Sequence, residues 1–147
     1  MKFFKAVMIG AVLAAGAAYA EEERTDPNSI ARGELMKTIG KNIGILGGMA
    51  KGEVAYDAAG AEGAKAAMLE AAGKIEATFK DQGAADPASE AKPEVWTNWD
   101  EFLADAKKLE EAVGALDVAS AESIGAGLGA VGGACKDCHT EFRIAKE

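Results

Sequence analysis

The spacing of apolar residues limits the fold of this chain more than any other feature, because steps of three and four recur in segment after segment. Met36, Ile39, Ile43, Leu46 and Ala50 are separated by alternating steps of three and four. An α-helix turns once per 3.6 residues, so this spacing draws one stripe along a single face, and Glu34, Lys37 and Lys41 fall off it. Met68, Ala72, Ile75 and Phe79 repeat the pattern, as do Ile124, Leu128, Val131, Cys135, Cys138 and Phe142. A further stripe reads Trp96 or Trp99, Phe102 or Leu103, Ala106, Leu109, Val113 and Leu116.

The segments between the stripes carry start and stop signals. Asp26-Pro27 opens a first helix that runs to about Ala50, since Asp accepts orphan amides and Pro suits the first turn. Gly52 to Tyr56 makes a turn, Asp57 caps a second helix, and Pro93-Glu94 opens a third. A short connection from Asp117 to Ser120 leads into the fourth. Gln82 to Pro93, QGAADPASEAKP, has no periodicity and is the longest break, of the kind that carries function in compact domains. Aromatic residues make up only 6% of the chain and there are 18 glycines, a composition that favours helices in close contact over a sheet. These features predict an all-α domain, an antiparallel up-down-up-down four-helix bundle.

Residues 1–20 read as an export signal to be removed before folding, leaving 21–147 as the folded domain. Lys2 and Lys5 supply the charged start, the apolar run Ala6 to Ala18 is too short to span a membrane, and Ala18-Tyr19-Ala20 suits a peptidase that cuts after Ala20. Without Lys2 and Lys5, 14 basic side chains face 24 acidic ones, a net charge of −10. Such a surface argues against nucleic-acid or membrane-surface binding and suits a protein partner with a basic docking face.

Near the C-terminus stands Cys135-Lys136-Asp137-Cys138-His139. On a helix, residues three apart differ by about 60° around the axis and residues four apart by about 40°, so Cys138 and His139 both neighbour Cys135. Two thiols so placed reach the two vinyl groups of one porphyrin, and the adjacent imidazole reaches its iron: the C-x-x-C-H pattern of covalent haem c attachment. A thioredoxin-like pair normally opens a helix after a strand, and no βαβ pattern is present. Structural zinc needs about four ligands, whereas the chain holds two cysteines and one histidine. A Cys-His hydrolase is weaker still, with all three groups within about one turn. Gly125, Gly127, Gly129, Gly132 and Gly133 precede the motif and imply either a flat macrocycle against the backbone or close helix contact.

With one histidine, bis-histidine ligation is excluded, which leaves a methionine or an open sixth position. Past residue 20 the methionines are Met36, Met49 and Met68. In an antiparallel bundle the start of the first helix lies beside the end of the fourth, so Met36 is the best placed. A methionine at helical spacing also serves simply as core packing.

The endings Cys-Lys-Asp-Cys-His-Thr-Glu-Phe-Arg at 135–143, Met-Ala-Lys-Gly-Glu-Val-Ala-Tyr-Asp at 49–57 and Pro93-Glu94-Val95-Trp96 resemble the class II c-type cytochromes, the cytochrome c′ family. The resemblance implies haem c on Cys135 and Cys138 with His139 as iron ligand. Leu35-Met36-Lys37 resembles the low-spin c-556 and c-554 branch, in which the methionine is the sixth ligand. By the same resemblance Arg32, Ser89 and Glu90 belong near the haem edge and Arg143 near the proximal imidazole; Arg32 as a solvated surface charge is the rival reading. Gly33 departs from members that place a side chain there. The implied function is periplasmic one-electron transfer without enzymatic activity, with a five-coordinate protein binding nitric oxide or other small gases as the alternative, and a homodimer formed through the first two helices. Acidified acetone is expected to leave the pigment on the purified protein; pigment lost to the solvent would refute covalent attachment.

Overall fold

The computed structural model describes residues 23–145. The expected export signal, 1–20, and its cleavage after Ala20 lie outside the described residues. Six helices follow in order: α1 (Pro27–Ala50), α2 (Ala58–Gly73), α3 (Ile75–Phe79), α4 (Glu94–Thr97), α5 (Trp99–Ala115) and α6 (Ala121–Phe142). α1 packs against α2 and α6, and α5 packs against the same two, which is the square of a four-helix bundle.

The expected caps are in place. Asp26 accepts from the Ser29 amide at 2.9 Å with Pro27 next to it, and Asp57 accepts from the Gly60 amide at 2.8 Å. Ser120 and Ser123 form a reciprocal capping box at the start of α6. Gly52 takes φ 72° in the turn after α1, a conformation that costs glycine least.

Two predicted helices are each divided in the structure. The second breaks at Gly73-Lys74, where the Lys74 amide turns back to the Ala71 carbonyl at 3.1 Å and α3 restarts with Thr78 donating to Lys74. Glycine is the weakest helix former after proline, so the break falls where propensity is lowest. The third breaks at Asn98, whose φ −117°, ψ 46° leaves the helical region. This break lets both tryptophans pack: Trp96 donates from Nε1 to the Phe79 carbonyl at 2.8 Å, and Trp99 stacks on Phe102 with centroids 5.5 Å apart. Of the two alternatives at the next position, Phe102 is buried and Leu103 half-buried.

Burial along the stripes is uneven. Leu46, Met68, Val113, Leu116, Ile124 and Val131 are almost wholly buried and fill the half of the bundle holding the α1 C-terminus and the α6 N-terminus. Toward the opposite end the stripe positions Met36, Leu103, Cys135 and Cys138 are only half-buried. Of the glycines before the cysteine motif, Gly127 faces the connection that follows α5, since a Cβ there would stand 2.5 Å from Leu116 Cδ1. Around Gly129, Gly132 and Gly133 such an atom would meet nothing within 4 Å.

The long loop is fastened by carboxylates. Asp86 accepts from the amides of Thr25 at 2.9 Å and Asp26 at 3.0 Å, and Asp26 accepts from Ala84 at 3.0 Å. At its far end the loop joins the C-terminus by an isolated antiparallel bridge between Ala91 and Arg143. Amide donors hold the carboxyls of Asp26, chiefly Ser29, and Asp86, chiefly Asp26, below the usual carboxylate range. A depressed folded pKa stabilises the fold above the unfolded value of 3.8 and loses that contribution as pH falls through the folded value. Asp86→Asn is therefore expected to lower stability at neutral pH and to flatten its decline below about pH 4, as read by urea denaturation across pH; a slope equal to wild type would refute the fastening role.

Candidate functional site

At the end where the stripes are half-buried, a cavity of about 450 Å³ opens between α1, α5 and α6. Met36, Ile39 and Ile43 line it from α1, Phe102, Asp105 and Leu109 from α5, and Cys135, Cys138 and His139 from α6. Ser89 and Glu90 of the loop, together with Arg24, Arg32 and Arg143, complete the wall. All eight residues singled out in the sequence thus border one space: Met36, Arg32, Ser89, Glu90, Cys135, Cys138, His139 and Arg143.

The electrostatics of the α6 face suit metal binding by His139 and argue against disulfide exchange at the cysteines. Burial raises the Cys135 thiol above its usual range. The Cys138 thiol is pushed up to about 12, first by burial, then by the Asp105 carboxylate and by Cys135. Thioredoxin-like cysteines need the opposite, a lowered pKa. The His139 imidazole is lowered, first by burial and then by the Arg143 guanidinium, which favours the neutral ring whose lone pair can bind a metal.

Arg32 is not the solvated surface charge of the rival reading, since it is only 5% exposed. Its guanidinium donates from Nη1 to the Asp81 carbonyl at 3.0 Å and from Nη2 to the Gln82 carbonyl at 3.2 Å, and it lies over the rings of Trp96 and Phe79. Arg32 thereby joins the start of the long loop to α1. Its Nε is buried without a partner.

Glu90 sits between two arginines at the cavity mouth: Arg143 reaches it at 2.6 Å and Arg24 at 3.4 Å. The Ile144 amide also donates to the Glu90 carbonyl at 2.8 Å, fixing the residue from the backbone side. The sequence did not single out Arg24, which lies across Gly33: a Cβ on Gly33 would stand 2.5 Å from Arg24 Nη1. Glycine at 33 leaves the room that the Arg24 side chain takes. Asp105 was also missed, although its position between Phe102 and Leu109 puts it on the inward stripe.

The family described as cytochrome C′ matches residues 29–143. The chain is 38% identical over 120 residues to cytochrome c-556 of Agrobacterium tumefaciens (strain apple 185), covering 80% of this chain and 94% of that one. It is 36% identical over 118 residues to cytochrome c′ of Pararhodospirillum photometricum, covering 76% and 92%. Among known structures, an NMR-validated structural model of oxidized R. palustris cytochrome c556 superposes with TM-score 0.73 at 26% identity, covering 82% of this chain and 98% of that one. Cytochrome c′ from Rubrivivax gelatinosus superposes with TM-score 0.68 at 28% identity, covering 83% and 98%. These are class II c-type cytochromes, haem proteins built on a four-helix bundle. The chain belongs to the cytochrome c′ family.

As in that family, the cofactor is one haem c, covalently held by the cysteine pair. The cavity fits it in chemistry: both thiols and a neutral-leaning imidazole on one helix, apolar side chains from three helices, and arginines at the rim for an anionic edge. Replacing Arg32 by Met is expected to destabilise the fold by about 1–3 kcal/mol in urea denaturation, and Arg32→Lys to recover only part of this, because one ammonium cannot replace a stacked fork on two carbonyls. Wild-type stability in Arg32→Met would refute the anchoring role.

Proposed function

We propose that this protein is a one-electron carrier of the periplasm, with iron held between His139 and Met36 in a low-spin state. The observation that supports this reading is that Met36, from α1, and His139, from α6, border the same cavity as both cysteines. Haem c supplies a ferric/ferrous couple, and histidine–methionine ligation raises its potential. The chain's residues do the rest: Cys135 and Cys138 fix the group, His139 presents a neutral nitrogen, and the apolar wall of Ile39, Ile43, Phe102 and Leu109 limits water. If His139 and Met36 were both to bind the iron, it would offer no open site to a substrate, which is the reading of a carrier and not of an enzyme.

The N-terminal signal 1–20, cut after Ala20, directs the chain to the periplasm in this reading, where haem is attached. No helix among the described residues is long and apolar enough to cross a membrane. Arg32, Ser89, Glu90 and Arg143 act at the haem edge and near the proximal imidazole. The partner presents a basic face, matched to a chain of net charge −8 before signal removal. A homodimer through α1 and α2 accords with the exposed Ile45 and Leu69 on those helices.

The ferric protein is expected to show a low-spin spectrum with a sulfur-to-iron band near the red edge. Met36→Ala is expected to abolish that band, convert the iron to high spin and admit carbon monoxide or nitric oxide. A high-spin wild type whose spectrum Met36→Ala leaves unchanged would refute methionine ligation and favour a gas-binding protein.

A further inference from the structure

Asp105 stands on α5 beside the stripe residue Ala106, on the inward side of the helix. It is 8% exposed, stands among Phe102, Ala106 and Leu109, and borders the cavity that holds Cys138 and His139. A carboxylate in such a place loses hydration, and an apolar residue of similar size would pack there at less cost. Its partner is Lys108, one turn further along α5, whose Nζ lies 2.8 Å from Asp105 Oδ1. The lysine side chain is 61% exposed and that of the aspartate 11%, so the pair runs from solvent into the wall of the cavity.

The field of this pair reaches the attachment face of α6. Asp105 lines the same cavity as Cys138 and His139, and Lys108 stands on its solvent side. Lys108 is itself raised, chiefly by its hydrogen bond to Asp105, with smaller contributions from Asp137 and Glu101. Both charges therefore stand beside the space that would receive the haem, the carboxylate at its wall and the ammonium one step further out.

Reduction adds one electron, delivered by a donor protein, to ferric haem, and no proton need accompany it. The charge of the cofactor falls by one unit, so a nearby anion opposes reduction and a nearby cation favours it, the more so where apolar walls reduce screening. We propose that Asp105 and Lys108 are positioning residues that set the reduction potential of the haem, the buried carboxylate holding it down and the solvent-facing ammonium partly offsetting that effect. The functional meaning of this setting rests on the electron-carrier reading, whereas the charge effect requires only the bound haem.

The test is a spectroelectrochemical titration of the purified holoprotein and three variants at low ionic strength. Asp105→Asn is expected to raise the ferrous-to-ferric ratio at a fixed applied potential by about threefold or more, where tenfold corresponds to about 59 mV for one electron. Lys108→Gln is expected to lower the ratio, and salt to weaken this effect more than that of Asp105→Asn. Lys107→Gln loses the same charge from an exposed pair with Glu110, outside the cavity lining, and is expected to change the ratio little. Shifts of the same sign in Asp105→Asn and Lys108→Gln, or shifts no larger than that of Lys107→Gln, would overturn the proposal. If Asp105→Asn does not assemble, the comparison of Lys108→Gln with Lys107→Gln decides alone. Failure of methionine ligation would appear separately, as a high-spin spectrum in all four proteins.

Discussion

A bundle whose four stripes closed fully on one another would leave no space for a prosthetic group, and this one leaves a cavity between α1, α5 and α6 toward one end, beside a closed aromatic cluster of Phe79, Phe102 and Phe142. The dry half, around Leu46, Val113, Ile124 and Val131, supplies hydrophobic stabilisation, each buried aliphatic side chain contributing about 1.5–3 kcal/mol. In the other half the stripe continues in sequence, but its members Met36, Cys135 and Cys138 border a cavity. The covalent attachment site is thus an extension of the core pattern of α6, with sulfur in place of hydrocarbon at two successive inward positions.

Keeping that cavity open requires the surrounding backbone to be held from outside, and the loop between α3 and α4 is what the chain ties down. Asp26 and Asp86 do this with amide hydrogen bonds, Arg32 with a stacked guanidinium on two loop carbonyls, and the Ala91 to Arg143 bridge with backbone pairing. The same ties deliver Ser89 and Glu90 to the cavity mouth, so a segment without helical periodicity becomes as well positioned as the helices it joins.

The four long helical stretches were legible because their burial is set by a local period, and the cysteine motif because its spacing has one geometric use. The divisions at Lys74 and Asn98 were not, since the three-and-four spacing passes through both without a change in pattern. The partners of Arg32 could not be read either: they are carbonyls of Asp81 and Gln82, and backbone groups carry no sequence signal. Arg24 was hidden for a related reason, because its guanidinium lies across Gly33, a neighbour that the sequence does not reveal. Asp105 stood in plain view with Lys108 three residues on, but whether it also bordered a cofactor site depended on how α5 meets α6.

The burial that suits the two thiols to a lasting thioether also makes them sluggish reagents. Exchange with any disulfide proceeds through the thiolate, and the Cys138 sulfur, raised to about 12, offers almost none near neutrality. Once the porphyrin is bound, the walls that α1 and α5 contribute stand over its two bonds to α6.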